Sequence, residues 1–558
     1  MTTGGGPAAR DGQRVPRASI TNLGCKVNQA EMDVLTRLLR GRGIRVVADG
    51  APVDLHVVNT CSVTAVADDK SRKAARRARR ASPDATVLVT GCAAAVNPAG
   101  FAGDGLHVLP GEGAARDALL EEIERLIGGR GSEPGPRTPG GAAGGADVRG
   151  ALDGPLPTLA GVAAAGSADG SSRIDLVGER SSRIDRTRAF IKVQDGCSFH
   201  CTYCIIPRAR GAERSLAPDA VLADVRGALA DGHREIVLTG INIGSYDGGW
   251  SERGARGAHV RSALTLAGLV RRILAETDVE RIRLSSIEPQ HVDDDLLEAW
   301  STDGAGRCLP HVHLPLQSGD DGVLRRMGRR YDTAFYAGVV ARIRAILPGV
   351  AVHADVITGF PTEDETAWRR SLAFVRSLDL AGIHLFRYSE RPGTPAARMA
   401  GQVPEPVRRA RAAELLALAA SARRRGAARA VGTERSVLFE VPDLAGGWIG
   451  HAEDHLFVRA GTDEGFADGR GSAVAARLAA QRSLPHPGVG SLAGELFRVA
   501  IEAVDPADPE RALGRLIERI PPPGRHPGRL VPATLARSGL GPVASPGSPG
   551  LACSGGPA

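Results

Sequence analysis

Short runs of β-branched and apolar residues alternate with longer helix-patterned stretches over the first 127 residues. One helical stretch covers residues 31–40 and lies between two of the apolar runs. Buried strands separated by helices are typical of a parallel sheet that is covered on both faces. We therefore predict an N-terminal parallel α/β sheet domain, with strands at residues 17–21, 44–47, 54–58 and 86–89.

The same alternation returns at residue 189 and continues to about residue 398. Six strand-and-helix units in a row predict a partial six-unit β/α barrel of the TIM type. In such barrels the chemistry is carried by loops at the carboxyl ends of the strands, and polar stretches follow five of the six predicted strands. The predicted strands are residues 190–193, 235–239, 281–284, 311–314, 352–357 and 382–385.

A basic helix and several short strands separated by glycine turns follow this barrel. The helix covers about residues 406–430, with Leu415, Leu416 and Leu418 as its apolar stripe. The strands predict a small C-terminal β-barrel. They lie at residues 436–440, 448–451, 456–459 and 496–501. The predicted fold class is therefore a multidomain α/β protein that ends in a small β-barrel.

Composition sets the predicted domain boundaries. Segments dense in Gly, Ala, Pro and Ser that lack an apolar period cannot build a core, and they predict disorder. The predicted divisions are a disordered start at 1–17, the sheet domain at 18–127, a flexible linker at 128–188, the β/α barrel domain at 189–430, the small barrel at 431–518 and a disordered tail at 519–558.

Charge and cysteine content narrow the class of protein. The net charge of +7 and the sequence pI of about 9.2 favour a polyanionic partner. We find no signal-peptide pattern and no apolar run long enough to span a membrane. We therefore expect a cytoplasmic protein whose eight cysteines stay reduced, which favours metal binding or catalysis over disulfides.

Three of these cysteines lie in one tight loop after the first strand of the barrel. Cys197, Cys201 and Cys204 follow a C-x3-C-x2-C spacing. Three thiolates can hold three corners of a four-iron cluster and leave one iron open. Structural zinc prefers four N or S ligands, and His200 could supply the fourth, so zinc is the chief alternative.

Three further cysteines each follow a predicted strand of the N-terminal sheet. Because the ends of parallel strands meet at one edge, Cys25, Cys61 and Cys92 are expected to converge on a second cluster. Any one of them alone could be an inert buried cysteine. The helix after Cys61 carries seven basic residues between Asp69 and Arg80, which could line an RNA path or form a solvated face.

These motifs resemble the radical S-adenosylmethionine methylthiotransferase family. The resemblance covers residues 18–127 and 189–518, and the Ala-Ala-Ala that follows Cys92 departs from the usual pattern. Within the family, Gly24-Cys-Lys-Val-Asn-Gln29 and Val193-Gln-Asp-Gly-Cys197 look most like the branch that acts on N6-threonylcarbamoyladenosine at tRNA position 37. The C-terminal barrel resembles a TRAM domain, an RNA-binding module. The family resemblance rests on the cysteine loop with Tyr203 before its last cysteine, and on Asn22-Leu-Gly-Cys-Lys-Val-Asn-Gln29, Asn59-Thr-Cys-Ser-Val-Thr64 and Thr90-Gly-Cys92.

The resemblance implies two 4Fe–4S clusters and S-adenosylmethionine as cofactors. The cluster on Cys197, Cys201 and Cys204 would generate a radical that takes the hydrogen from C2 of the adenosine, and the upstream cluster would present sulfur for methylation. The resemblance also implies contacts to S-adenosylmethionine. Tyr203 is expected to lie at its adenine, and Gly240 is expected to bind its methionine amino group. The ribose and methionine end is expected to contact Ser285, Ser286 and Glu288, and the further expected contacts are Gln317 and Arg329.

The resemblance also implies partners. We expect the tRNA anticodon stem-loop as substrate, together with an electron donor and a sulfur source that are not identified. The alternatives are methylthiolation of isopentenyladenosine in tRNA or of an aspartate in a ribosomal protein. A further alternative is an RNA-binding protein without enzymatic activity, stabilised by zinc or by iron–sulfur. In another, one of the two clusters only donates electrons.

Overall fold

The computed structural model describes residues 15–103, 105–109, 121–123, 125, 187–251, 260–261, 264–443, 447–460 and 492–523. The described residues up to Pro521 form one compact unit. The predicted disorder at 1–14, most of the predicted linker and the tail beyond 523 lie outside the described residues. Among the described residues, no helix combines the length and apolar content needed to span a membrane.

A five-stranded sheet in the order β2-β1-β3-β4-β5 forms the N-terminal part, and every neighbouring pair is parallel. One apolar cluster includes Ile20 and Leu39, and another includes Val58 and Val89. The predicted parallel sheet is confirmed. Its elements are β1 Arg17–Asn22, α1 Lys26–Gly41, β2 Arg45–Val46, β3 Leu55–Thr60, α2 Ala65–Ala81, β4 Thr86–Gly91, α3 Cys92–Val96 and β5 Leu106–Val108.

Six parallel strands form the predicted partial barrel as two three-stranded sheets. Single bridges from Ile282 to Cys308 and from Ser286 to His313 join the two sheets. The strands are β6 Arg188–Lys192, β9 Glu235–Thr239, β12 Arg281–Leu284, β13 His311–His313, β14 Ala351–Thr358 and β15 Gly382–Arg387. The main helices are α4 Ile206–Arg210, α5 Pro218–Ala230, α6 Leu266–Glu276, α7 Asp294–Glu298, α8 Asp321–Met327, α9 Thr333–Ile346 and α10 Glu365–Ser377.

Two short antiparallel pairs accompany this barrel. The first pair is β7, Gln194–Asp195, with β8, Arg214–Ser215, and it clips together the two ends of the cysteine loop. The second pair is β10, Trp250–Ser251, with β11, Val260–Arg261. Both pairs lie in connections after the first two strands of the barrel, so the loops there are shaped by their own hydrogen bonds.

The C-terminal part is a closed five-stranded barrel in the order β16-β17-β18-β20-β19. The prediction contained only four strands and missed β20. Two of the inward positions of β20 are Ala512 and Gly514, which give little apolar signal. Gly514 is needed because a Cβ there would lie 2.4 Å from Cγ1 of Val499. The strands are β16 Glu434–Pro442, β17 Trp448–Ala452, β18 Phe457–Ala460, β19 Leu496–Val504 and β20 Ala512–Arg519.

Helix α11, Glu405–Ala430, links the two barrels, and its buried face differs from the predicted stripe. Leu415 is buried, but Leu416 is 43% exposed. The prediction for Leu416 was wrong because small side chains, not leucines, fill most of the inner face at helical spacing. The buried positions are Arg411, Ala412, Leu415, Ala419, Ala422, Ala427 and Ala430.

A buried ion-pair group stands where the catalytic barrel meets the C-terminal barrel. Glu235 accepts hydrogen bonds from Nε of Arg281 at 2.8 Å and Nε of Arg283 at 2.9 Å. Nη1 of Arg281 also donates to the carbonyl of Ser436 at 2.9 Å. Burial favours the neutral acid, but Arg283 and Arg281 outweigh it and lower the pKa of Glu235 to about 2. Glu235 is therefore ionised and holds both arginines in place.

Replacing Glu235 by Gln leaves two guanidinium groups without their buried counter-charge. We expect Glu235→Gln to cost about 3–5 kcal/mol, because breaking one partner of a buried pair strands the other charge. The measurement is the thermal unfolding midpoint of the purified chain. The control is Asp69→Asn, since the Asp69–Lys73 pair is exposed and exposed ion pairs contribute little to stability. Equal midpoints for the two variants would contradict this account.

Candidate active site

The cysteine loop is shaped by hydrogen bonds at both of its ends. Gly196 has a φ of +67°, and a Cβ there would lie 2.0 Å from the carbonyl oxygen of Ala212, so only glycine fits before the first cysteine. The amide of Cys197 donates to the carbonyl of Gly211 at 3.1 Å, and the amide of Thr202 donates to that of Met327 at 2.9 Å. The loop is therefore fastened to the segment after β13.

The three thiols of this loop are free and partly buried. Burial, with the neighbouring Cys201 thiol, raises the pKa of Cys197 to about 11 and that of Cys204 to about 12. His200 is exposed. Within the described part of the chain, the cysteines of neither trio are gathered tightly enough to share a single ion. The donor set thus suits a larger cluster better than one zinc ion.

The structure brings the upstream cysteines together at one edge of the N-terminal sheet. Cys25 caps the start of α1, Cys61 follows β3, and Cys92 begins α3 after β4. Burial, together with the Cys25 and Cys92 thiols, raises the pKa of Cys61 to about 12. Burial, together with the Cys25 thiol, raises the pKa of Cys92 to about 11. All three are free thiols, so three ligands and no disulfide stand at this edge.

Two asparagines join the first turn of α1 to the end of β3 beside this trio. Nδ2 of Asn28 donates to Oδ1 of Asn59 at 3.0 Å, and Nδ2 of Asn59 donates to the carbonyl of Asn28 at 3.2 Å. The thiol of Cys25 donates to Oδ1 of Asn28 at 3.3 Å. Gly91 completes the arrangement, since a Cβ there would lie 2.2 Å from Oδ1 of Asn59.

Arg210, at the end of the short helix after the downstream cysteine loop, reaches the upstream trio. Its Nε donates to Sγ of Cys92 at 3.2 Å, and its Nη1 donates to Glu31 at 2.8 Å and to Asp195 at 3.0 Å. Nη2 donates to Oδ1 of Asn28 at 3.0 Å. Helix α3 packs against α4 at the same place. Arg210 was not predicted from the sequence, because it lies 118 residues from Cys92 and no local motif marks a contact between residues so far apart.

A second arginine stands at the downstream trio. Arg329 donates from Nη1 to Sγ of Cys201 at 3.4 Å and to the hydroxyl of Tyr203 at 3.5 Å. It donates from Nε to the hydroxyl of Tyr331 at 3.0 Å, and it forms a direct ion pair with Glu288. The predicted residues Tyr203, Glu288 and Arg329 thus come together beside one cysteine of the loop.

The other predicted contacts of S-adenosylmethionine lie at neighbouring strand ends. Ser285 and Ser286 follow β12, and Ser286 bridges to His313. Gln317 has a φ of +68° and bridges to Val356 of β14. Gly240 follows β9, and a Cβ there would lie 2.9 Å from the carbonyl of Gln194. Packing against Gln194 therefore already requires glycine, whatever binds there. The roles of these residues stay predictions.

Unpaired polar atoms mark the carboxyl ends of three strands. Neither amide atom of Asn242 has a hydrogen-bond partner, nor has Oγ of Ser285 or Oγ1 of Thr358, and all three side chains are buried. Buried polar groups normally find partners, so an unpaired set indicates a missing polar ligand. S-adenosylmethionine, with its amino, carboxylate and ribose groups, fits this set. Asn242 and Thr358 lie within the polar stretches that follow two of the predicted strands, but neither residue was itself predicted.

Two family profiles match the chain. The first is described as an uncharacterized protein family, UPF0004, and matches residues 17–107. The second is described as the radical SAM superfamily and matches residues 191–375. The first profile therefore covers the part with the upstream cysteines, and the second covers the part with the cysteine loop.

Relatives extend the match over most of the chain. The threonylcarbamoyladenosine tRNA methylthiotransferase MtaB of Bacillus subtilis is 35% identical over 71% of this chain and 78% of its own length. The tRNA-2-methylthio-N(6)-dimethylallyladenosine synthase of Acidothermus cellulolyticus is 32% identical over 74% of this chain and 75% of its own. The solved structure of a radical S-adenosylmethionine methyltransferase, TsrM, from Kitasatospora setae aligns with a TM-score of 0.45 at 18% identity, covering 68% of this chain and 75% of that one.

The chain belongs to the radical S-adenosylmethionine methylthiotransferase family. It is an enzyme that uses S-adenosylmethionine with a 4Fe–4S cluster. Family membership agrees with the free cysteine loop at the mouth of the barrel and with the separate upstream trio.

Gly91 offers a direct test of the upstream geometry. Gly91→Ala and Gly50→Ala both place a side chain at a φ near +90°, at a strain of about 1–3 kcal/mol, but nothing lies within 4 Å of Gly50. Gly91→Ala should lose about 1–3 kcal/mol more, because its Cβ overpacks against Asn59 and Thr60. Thermal midpoints measure the difference, and iron content after anaerobic reconstitution should fall only in Gly91→Ala. Indistinguishable variants would show that the strand end does not need this close approach.

Proposed function

We propose that the chain is a tRNA methylthiotransferase. It replaces the C2 hydrogen of N6-threonylcarbamoyladenosine at position 37 by a methylthio group. The Bacillus subtilis relative, which is named a threonylcarbamoyladenosine tRNA methylthiotransferase, supports the assignment. The observation that carries it is the hydrogen bond from Arg210 to Cys92, since one side chain joins the catalytic barrel to the upstream trio.

Two 4Fe–4S clusters and S-adenosylmethionine fit the donor sets in this proposal. Cys197, Cys201 and Cys204 would hold one cluster, and Cys25, Cys61 and Cys92 the other, each with three protein ligands. When bound, these groups supply the radical that removes the hydrogen and the sulfur and methyl that replace it. No side-chain base can remove hydrogen from an unactivated aromatic carbon, which is why a cofactor is required.

Around the downstream trio, side chains of the barrel would bind and orient S-adenosylmethionine. Arg329 supplies a positive charge and N–H donors, and its ion pair with Glu288 fixes its position. Oγ of Ser285 and the amide of Asn242, which lack partners, can accept from and donate to the amino acid and ribose ends. Tyr203, Gly240, Ser286 and Gln317 complete the proposed contacts.

Around the upstream trio, the chain would provide charge balance and exclusion of water. Arg210 donates to Cys92 while Glu31 and Asp195 neutralise its charge. Lys192 adds a further contact to Glu31 at 2.9 Å. Because this network is buried, it holds the two trios in a fixed relation and keeps solvent from the space where a base would react.

The substrate in this proposal is the tRNA anticodon stem-loop, where unstacked bases are accessible to a protein. The C-terminal barrel and the exposed basic side chains of α2 would contact its backbone, among them Arg76, Arg77 and Arg80. An electron donor and a sulfur source must come from partners, and the reaction would take place in the cytoplasm with the tRNA.

Nucleoside analysis of tRNA tests the substrate. A strain that lacks this protein should lose 2-methylthio-N6-threonylcarbamoyladenosine and accumulate the unmodified N6-threonylcarbamoyladenosine. Loss of methylthio-isopentenyladenosine instead, or an unchanged tRNA pool, would contradict the proposal.

Cys92→Ala should keep S-adenosylmethionine cleavage but lose sulfur insertion, whereas Cys197→Ala should lose both. Cys308→Ala, which removes a free cysteine outside both trios, is the control and should retain both activities.

Arg210 should raise the reduction potential of the cluster that the upstream trio would hold. Arg210→Met removes a cation and an N–H donor from Cys92, and loss of hydrogen bonds to cluster sulfurs lowers the reduction potential. The expected result is a more negative potential in anaerobic titration followed by electron paramagnetic resonance. The control is Arg208→Met, on the same short helix, whose exposed guanidinium donates to the carbonyl of Pro392. A potential unchanged in Arg210→Met at equal iron content would exclude this role.

A further inference from the structure

Six of the chain's 14 histidines gather where the catalytic barrel meets the C-terminal barrel. None of them belongs to the cysteine sites. They come from five separate segments of the fold, so no sequence motif marks the group. The six are His311 and His313 on β13, His353 on β14, His384 on β15, His451 on β17 and His455 in the turn before β18.

Three of these rings converge. The ring centroids of His311 and His353 are 4.6 Å apart, those of His311 and His455 are 4.6 Å apart, and those of His353 and His455 are 5.3 Å apart. One nitrogen from each ring lies within 4.8 Å of the other two. Ligand nitrogens around a tetrahedral ion with bonds of 2.0–2.1 Å lie about 3.4 Å apart, so small ring rotations would close the site.

The hydrogen bonding of His311 points independently to a missing ligand. The side chain is 4% exposed, and neither Nδ1 nor Nε2 has a partner. A neutral imidazole carries one donor and one acceptor, and leaving both unpaired in the interior is unfavourable. A bound ion would engage the lone pair of one ring nitrogen.

Two neighbouring histidines are engaged elsewhere. Nε2 of His313 lies 2.7 Å from Oδ1 of Asp355, and Nδ1 of His451 lies 2.7 Å from Oε1 of Glu440. These carboxylates bring negative charge close to the three rings. The guanidinium of Arg283 and the ammonium of Lys26 oppose a cation there. Arg283 is paired with Glu235.

The electrostatics leave the three rings neutral. Burial lowers the pKa of His311, His353 and His455 well below the usual value, and neighbouring histidines and Arg283 lower it further. Neutral imidazole is the form that binds a metal ion. His455 also holds a φ of +68°, an uncommon backbone conformation for a residue other than glycine, in the turn that brings its ring to the other two.

We propose that His311, His353 and His455 bind one divalent transition-metal ion of the zinc class. Imidazole nitrogens without thiolates suit zinc, cobalt, nickel and copper ions. Two ligands come from the catalytic barrel and one from the turn between β17 and β18 of the C-terminal barrel. The ion would therefore fasten the proposed RNA-binding barrel to the catalytic barrel.

The test uses the full chain with its iron–sulfur sites reconstituted anaerobically, so that the cysteines are occupied. After removal of loosely bound metal by a chelator, the protein is titrated with Zn²⁺ by calorimetry and with Co²⁺ by absorption. The expected result is one ion per chain beyond the iron, with a cobalt spectrum that lacks thiolate charge-transfer bands. Absence of a stoichiometric site, or a thiolate spectrum, would overturn the proposal.

Variants locate the site. His353→Gln and His455→Asn should each lower the zinc affinity at least tenfold, and asparagine tolerates the backbone conformation at 455. His384→Gln is the control, since its ring lies in the same group but outside the three ligands. Zinc should also raise the thermal midpoint of the parent chain and of His384→Gln but not of His455→Asn. Equal affinities in all four proteins would overturn the assignment.

Discussion

A single buried guanidinium, that of Arg210, constrains how the two cysteine-bearing parts of the chain fit together. Its side chain is 2% exposed and is neutralised by Glu31 from helix α1 and Asp195 from the strand before the cysteine loop. A charge in the interior is stable only with partners, so the N-terminal sheet must dock for this charge to be balanced. The same docking brings Cys92 within 3.2 Å of Nε of Arg210. The charge balance of Arg210 and its contact with Cys92 therefore both depend on the same docking.

The candidate site contains residues whose local arrangement is unfavourable for folding but suited to binding a ligand. Asn242, Ser285 and Thr358 are buried at strand ends with unpaired polar atoms, although the surrounding barrel could have filled these positions with apolar side chains. Glycines at 91 and 196 hold backbone conformations that other residues adopt poorly, each directly before a cysteine. Rigid strands of the two sheets support both features. The stable scaffold thus holds ligands and thiols in place before any cofactor arrives.

The strands and helices were largely predictable from the sequence, whereas the side-chain contacts between the parts of the fold were not. The limits of β9 and β12 agree with the predicted residues. The apolar run of Ile236, Val237 and Leu238 marks β9, and the alternation of arginine with Ile282 and Leu284 marks β12. Strand β20 was missed because Ala512 and Gly514 face inward without an apolar signal. Cys197, Cys201 and Cys204 stood out through their close spacing. The partners of Arg210 and the three converging histidines lie far apart in sequence, and such contacts depend on how elements pack.

The central claim is that two separate cysteine trios each hold an iron–sulfur cluster in one enzyme. The most direct test is to count iron and acid-labile sulfide in the full chain after anaerobic reconstitution. The account predicts about eight irons and about eight sulfides per chain, falling to about four of each when Cys25, Cys61 and Cys92 are all replaced by alanine. One or two zinc ions without sulfide, or only four irons in the parent chain, would contradict it.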